Sequence, residues 1–300
     1  MGGRTADSST PDMGACMTQL DDSTQWRLAI CCGLPRSGST LQYQLAATIV
    51  ERADHGRGLG WVGAANVEDI IGSLPPGKAG VIKIHRFDLL DGVESADERG
   101  LLRVIHSYRD LRDIVASLSR ASGRSFRDIV AKAEVERMIL DSDRWESLGS
   151  AVVSRYERFA TEIGHEAHRI AGHLGLDVPS DLLDEVAGQH SLDRQRARST
   201  EHGSGWAQYD PTTLLHPGHI GSGAAEQWRA FSVLQRAYLE RLAGSWLARH
   251  QYELSTRDYQ RRLAAVRYLT RYVDRARSHR SKGTLGTAVR ARFLRQRSTS

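Results

Sequence analysis

Three hundred residues, 40% hydrophobic and 26% charged, are enough for one large domain with tails or two small domains with a buried core. No apolar run approaches the roughly 18 residues of a membrane span. No signal-peptide segment follows Met1, and three cysteines (Cys16, Cys31, Cys32) argue against an extracellular disulfide framework. The expectation is a cytoplasmic protein. The net charge of +5 is uneven: residues 256–300 hold thirteen Lys or Arg against two Asp, a net +11, which leaves −6 on residues 1–255. The basic character therefore belongs to the tail, and no specific nucleic-acid partner is expected for the body.

In chain order, residues 1–24 are rich in Ser, Thr, Asp and Gly without periodicity and read as a disordered leader. A strand over 27–33 runs into Gly33-Leu34-Pro35-Arg36-Ser37-Gly38-Ser39-Thr40, and a helix follows to about residue 53. Strand, Gly-rich turn and helix aim backbone N–H groups at one spot that suits an anion. The pattern is one residue from a Walker A loop, with Ser39 where a nucleoside-triphosphatase has Lys, and Arg36 is the loop's long cation. A phosphate fits, and a P-loop kinase or nucleoside-triphosphatase remains the alternative reading. Residues 55–61 hold three Gly and read as a loop, with Trp61 assigned to packing rather than to a site.

A short helix over 67–74 and a strand over 80–86 come next. On that strand Lys83 and His85 share a face near the carboxyl end, where open α/β sheets place their chemistry. Residues 101–108 (LLRVIHSY) form a third strand, and Asp110 is placed to cap a helix running to about residue 120. Arg109 then sits at the strand-to-helix corner with Ser117 two turns along. The pattern continues as a helix over 126–140, a strand over 151–156, a helix over 159–174, and a shorter one over 181–188 capped by Ser180. The order indicates an α/β three-layer sandwich with a mostly parallel central sheet.

Residues 191–213 form a long polar loop that reads either as a gate or substrate-binding segment or as disorder without function. A second Gly-rich loop, His216 to Gly223 and containing His219, Ile220 and Gly221, leads into an amphipathic helix from residue 224 to about 250. No Cys or acidic residue completes a metal set around His216 and His219. Residues 256–300 read as a basic amphipathic arm suited to the acidic body, an anionic surface or an acidic substrate, with docking on the body ranked first.

Residues 25–250 resemble a sulfotransferase using 3′-phosphoadenosine 5′-phosphosulfate (PAPS). That family's P-[KR]-[ST]-G-[ST]-[ST] loop matches Pro35-Arg36-Ser37-Gly38-Ser39-Thr40. Its Arg-Asp corner with a Ser eight residues on matches Arg109-Asp110 and Ser117, and its K-T-H strand end matches Lys83-Ile84-His85. Its Y-E-D-L segment is similar to Tyr156-Glu157-Arg158-Phe159, and its late loop is loosely similar to His219-Ile220-Gly221. The resemblance implies a P-loop NTPase-like fold in a sulfotransferase domain over 25–255. PAPS is the implied donor, without an obligatory metal, and the acceptor is a small-molecule, lipid or carbohydrate hydroxyl or amine. His85 is implied as general base, Lys83 as stabiliser of the bridging oxygen, and Arg36 as the 5′-side clamp. Arg109 and Ser117 are implied at the 3′-phosphate, and Lys83 with His85 is expected between the two anion sites in sheet order.

Overall fold

The structure, a computed structural model, describes residues 26–131, 134–201, 210–215 and 223–255. The leader, the basic arm and the His219–Gly221 stretch lie outside them. The first half of the fold comprises β1 (Leu28–Gly33), α1 (Ser39–Arg52), β2 (Gly56–Trp61), β3 (Ala65–Asn66), α2 (Val67–Gly72), β4 (Ala79–Lys83), β5 (Leu90–Asp91), α3 (Val93–Glu98) and β6 (Leu102–Tyr108). The second half comprises α4 (Leu111–Ser122), α5 (Phe126–Ala131), α6 (Glu134–Glu146), β7 (Ala151–Arg155), α7 (Tyr156–Phe159), α8 (Ile163–Leu174), α9 (Ser180–Gln189), α10 (Leu192–Glu201) and α11 (Val233–Arg249).

The main sheet has five strands in the order β2-β4-β1-β6-β7, all paired in parallel. Its central strand is buried on both faces, and successive residues feed opposite layers. Ala29 and Cys31 join Val81 and Ile105 against Tyr43 and Ile49 of α1 and Ile170 of α8. Leu28, Ile30 and Cys32 join Ile82 and Val104 against Val93 and Trp145 on the other side. A third cluster packs Ile114 and Val115 of α4 against Met138 of α6 and Leu239 and Trp246 of α11. The three-layer α/β sandwich is as expected.

Several local expectations are corrected. Residues 56–61 are a strand, not a loop: a Cβ at Gly56 would sit 1.9 Å from the Ala79 carbonyl oxygen, so the close approach of β4 demands glycine there. The helix expected over 126–140 is two helices, α5 and α6, and that over 159–174 is the short α7 followed by α8. Part of the expected polar loop after residue 191 is helix α10. The last helix starts at a capping box formed by Ser232 and Gln235, not at residue 224. Pro179 occupies the cap position of α9, and Ser180 is its first helical residue. The sheet order differs too: β1 lies between β4 and β6, so the Gly-rich loop, not the Lys83–His85 strand, occupies the middle.

Candidate active site

Every long strand of the main sheet points its carboxyl end the same way, and the loops leaving β1, β4 and β6 meet there. A cavity of about 260 Å³ opens at that edge. Its lining includes Pro35, Arg36, Gly38, Ser39 and Thr40 from the first loop, His85 from the β4 end, and Arg109 and Ser117 from the β6–α4 corner. Eight of the residues singled out from the sequence thus share one cleft.

Local chemistry explains why the loop takes this path. Gly38 precedes α1 with φ 86, and a Cβ there would lie 2.7 Å from the Phe159 ring and 2.8 Å from the Tyr156 ring. A side chain is excluded by both backbone and space. Ser37 is fully buried. Its N–H donates to the Leu34 carbonyl at 3.1 Å, and its Oγ donates to the same carbonyl at 2.5 Å and meets Ser107 Oγ at 2.8 Å. Ser37 therefore braces the loop on β6 and does not line the cavity. Gly38, Ser39 and Thr40 do line it, beside the leading N–H groups of α1, which no carbonyl within the helix can take.

Three guanidinium groups line the cavity, those of Arg36, Arg109 and Arg120. Arg36, itself at φ 64, donates from Nε to Ser117 Oγ at 3.0 Å. Arg109 is buried. It donates to the Ala224 carbonyl at 2.7 Å, lies 3.7 Å from Asp113 Oδ2 and stacks 4.5 Å from the centre of the Tyr156 ring. Its Nε is buried without a hydrogen-bond partner among the described residues. The Asp113 carboxylate also accepts from the Glu226 and Trp228 amides at 2.8 and 3.0 Å, so one carboxylate serves several donors. Burial, and then the nearby Arg109 charge, push the Arg36 guanidinium below its ordinary pKa. Two like charges held this close in a desolvated cleft suit a multiply charged anion, which would relieve their repulsion. Residues with this geometry fit the phosphate groups of an adenosine bisphosphate.

At the β4 end, His85 Nδ1 meets the Gly33 carbonyl at 2.7 Å. A carbonyl only accepts, so Nδ1 carries the proton and the lone pair sits on Nε2. Lys83 Nζ is 3.1 Å from that Nε2 and 4.5 Å above the Trp61 ring. Lys83 is buried and is absent from the cavity lining, and burial lowers its pKa to about 7. Trp61 is 44% exposed and packs edge-on to His85 at 5.2 Å without lining the cavity.

Sequence reasoning missed Arg120, Gln195 and Gln227, which also line the cavity. Arg120 was findable, since it stands three residues after Ser117 on the same helix and so shares its face. Gln195 falls within the segment expected as a gate or substrate contact, but with no helix read there nothing set this residue apart from its neighbours. Among the described residues, no group of three or more His, Cys, Asp or Glu side chains is arranged to hold a metal ion. No helix among them is long and apolar enough to cross a membrane.

No protein-family model matches the chain, and no curated protein sequence matches it. Solved structures do. Retinol dehydratase in complex with retinol and PAP is similar with a TM-score of 0.54 at 13% identity, over 75% of this chain and 83% of that one. The same protein with androsterone and the inactive cofactor PAP gives 0.54 at 14%, over 79% and 85%. Mouse sulfotransferase SULT7A1 complexed with PAP gives 0.52 at 14%, over 81% and 89%. The chain is an α/β protein with a mostly parallel sheet flanked by helices. More particularly, it has the sulfotransferase fold.

Proposed function

We infer that residues 25–255 form a PAPS-dependent sulfotransferase that moves a sulfuryl group to the hydroxyl or amine of a small-molecule acceptor. The observation that carries this reading is the shared cavity, with Arg36, Arg109 and His85 all on its lining. PAP in the structural neighbours supports the donor, and retinol and androsterone beside it support a small acceptor.

When bound, the donor supplies the sulfuryl group and a phosphate leaving group. Arg36 and the amides at the start of α1 hold the 5′ side, where negative charge gathers as the bond to sulfur breaks. Arg suits this place because its planar fork meets two oxygens at once. Arg109, with its unsatisfied Nε, takes the 3′-phosphate, and Ser117 joins the two sites through Arg36. His85 receives the acceptor's proton at Nε2, where the acceptor hydroxyl takes the place of the contact that Lys83 Nζ makes at 3.1 Å, while its Nδ1–H stays on Gly33.

Lys83 is buried outside the cavity lining and meets His85 at Nε2, so its part is to orient that imidazole until the acceptor arrives, and it acts on the reaction as a positioning residue. The test is transfer of labelled sulfate from PAPS to pooled acceptors of different chemical classes. Label in any acceptor pool, lost in Arg36→Ala, supports the reading. Its absence from every pool, together with no binding of the donor product, overturns it.

A further inference from the structure

A second cavity, of about 180 Å³, adjoins the first and shares Pro35, His85 and Leu118 with it. Its floor is apolar: Leu34, Leu118, Met138 and Trp145. At about 180 Å³ against about 260 Å³ for the first cavity, it suits a smaller body, of about one ring. One face of α6 supplies Arg137, Met138, Asp141, Ser142 and Trp145, at the spacing of successive turns.

The charged side chains on its lining are matched, with one oxygen left over. Arg86 and Arg137 both bind Asp88, at 2.9 Å from Arg86 Nε and 3.1 Å from Arg137. Glu134 is held by Arg124 at 2.6 Å. Asp141, 9% exposed, accepts the Phe87 amide on Oδ1 at 3.0 Å, and its Oδ2 takes no hydrogen bond among the described residues. Asp141 offsets the surplus positive charge left where two arginines share Asp88, so the rim is balanced. An ammonium on the ligand would unbalance it, and a carboxylate would face Asp141. A neutral O–H is what a lone carboxylate oxygen in a balanced setting selects.

Resting on the sulfotransferase reading, we propose that this cavity is the acceptor site and that Asp141 is its specificity-determining residue. The acceptor class is a neutral single-ring alcohol or phenol that presents one hydroxyl to His85 and donates a second to Asp141 Oδ2. Transfer at the first hydroxyl breaks the bond from sulfur to the donor phosphate and forms one to the acceptor oxygen, whose proton passes to His85. Burial pushes the Asp141 carboxyl up, and a hydroxyl donated to it would favour its ionised form.

The test compares kcat/KM for phenol and the three benzenediols with the full chain, alongside calorimetry of adenosine 3′,5′-bisphosphate. A hydrogen bond to a charged group implies a preference of about tenfold or more for one diol, after allowing for its two hydroxyls. Asp141→Asn keeps the acceptor for the Phe87 amide but replaces the open oxygen, and the preference is expected to fall below about threefold. Met138→Trp fills the cavity, and turnover of the phenols is expected to fall at least about tenfold with bisphosphate affinity kept, which also reports folding.

Bisphosphate binding with no diol preference, with a preference that survives Asp141→Asn, or with no phenol or diol turned over, overturns the acceptor assignment alone. No bisphosphate binding and no sulfate transfer to any acceptor overturns the sulfotransferase reading and this inference with it.

Discussion

Arg36 Nε donates to Ser117 Oγ at 3.0 Å, joining the loop after β1 to the second turn of α4 across 81 positions of sequence. The two segments proposed to hold anions are therefore one mechanical unit. Ser117→Ala frees the Arg36 side chain as well as removing a hydroxyl, so it is expected to weaken bisphosphate and adenosine 5′-phosphosulfate alike. Arg109→Ala is expected to weaken the bisphosphate by about 10- to 100-fold, the range for a charge-assisted hydrogen bond, and adenosine 5′-phosphosulfate far less. Calorimetry with both ligands checks this. Equal losses in Arg109→Ala would remove Arg109 from the 3′-phosphate.

His85→Ala is expected to lower kcat by about 10²–10⁴, the usual contribution of a positioned general base. Donor affinity should change little, because the imidazole meets the Gly33 carbonyl and Lys83 and not Arg36 or residues 38–40, which are proposed to meet the phosphates. Steady-state kinetics with the donor varied checks both halves. Full turnover in this variant would pass the base role to another group.

Gly38→Ala places a methyl group against the Tyr156 and Phe159 rings at a φ of 86. Strain of this kind costs about 1–3 kcal/mol, and the loop is expected to shift enough to lower bisphosphate affinity. Gly63, where an added methyl group would meet nothing within 4 Å, is the control. Gly63→Ala is expected to stay within about 0.5 kcal/mol of the parent in urea unfolding. Equal effects at the two positions would contradict the close-packing account.

Lys83 titrates near pH 7 in the folded protein, displaced downward chiefly by burial. An unfolded chain still holds that proton up to about pH 10. The unfolded state thus binds more protons above pH 7, and the Lys83 contribution to unfolding free energy rises with pH there. Cys31 and Cys32 act oppositely, since burial holds both thiols protonated while unfolded thiols ionise above about pH 8.5. The clean window is therefore about pH 7 to 8. Urea unfolding in that window should show Lys83→Met with a flatter rise than the parent, and parallel slopes would contradict the assignment.

The β1 loop and the β6–α4 corner were legible because each is local. A few adjacent residues (Gly38, Arg36, Asp110 with its bond to the Arg112 amide at 2.9 Å) determine the turn and the cap. Gly56, Gly58 and Gly60 hid β2, since glycines that let strands and side chains approach closely look the same as glycines that make a loop. The polar run from Leu192 concealed α10, whose buried Gln195 and Ser199 carry no hydrophobic period. Long-range placement was least visible. That β1 separates β4 from β6, and that Asp141 of α6 comes to line the same cavity as His85, depends on packing among segments far apart in the chain.

Calorimetric titration of the full chain with adenosine 3′,5′-bisphosphate, adenosine 5′-monophosphate and Mg-ATP tests the central claim most directly. The account predicts that the bisphosphate binds at least about tenfold tighter than the monophosphate, because Arg109 meets a group that only the former carries. Tight Mg-ATP binding with no heat from the bisphosphate would contradict it and favour a nucleoside-triphosphate site in the same cleft.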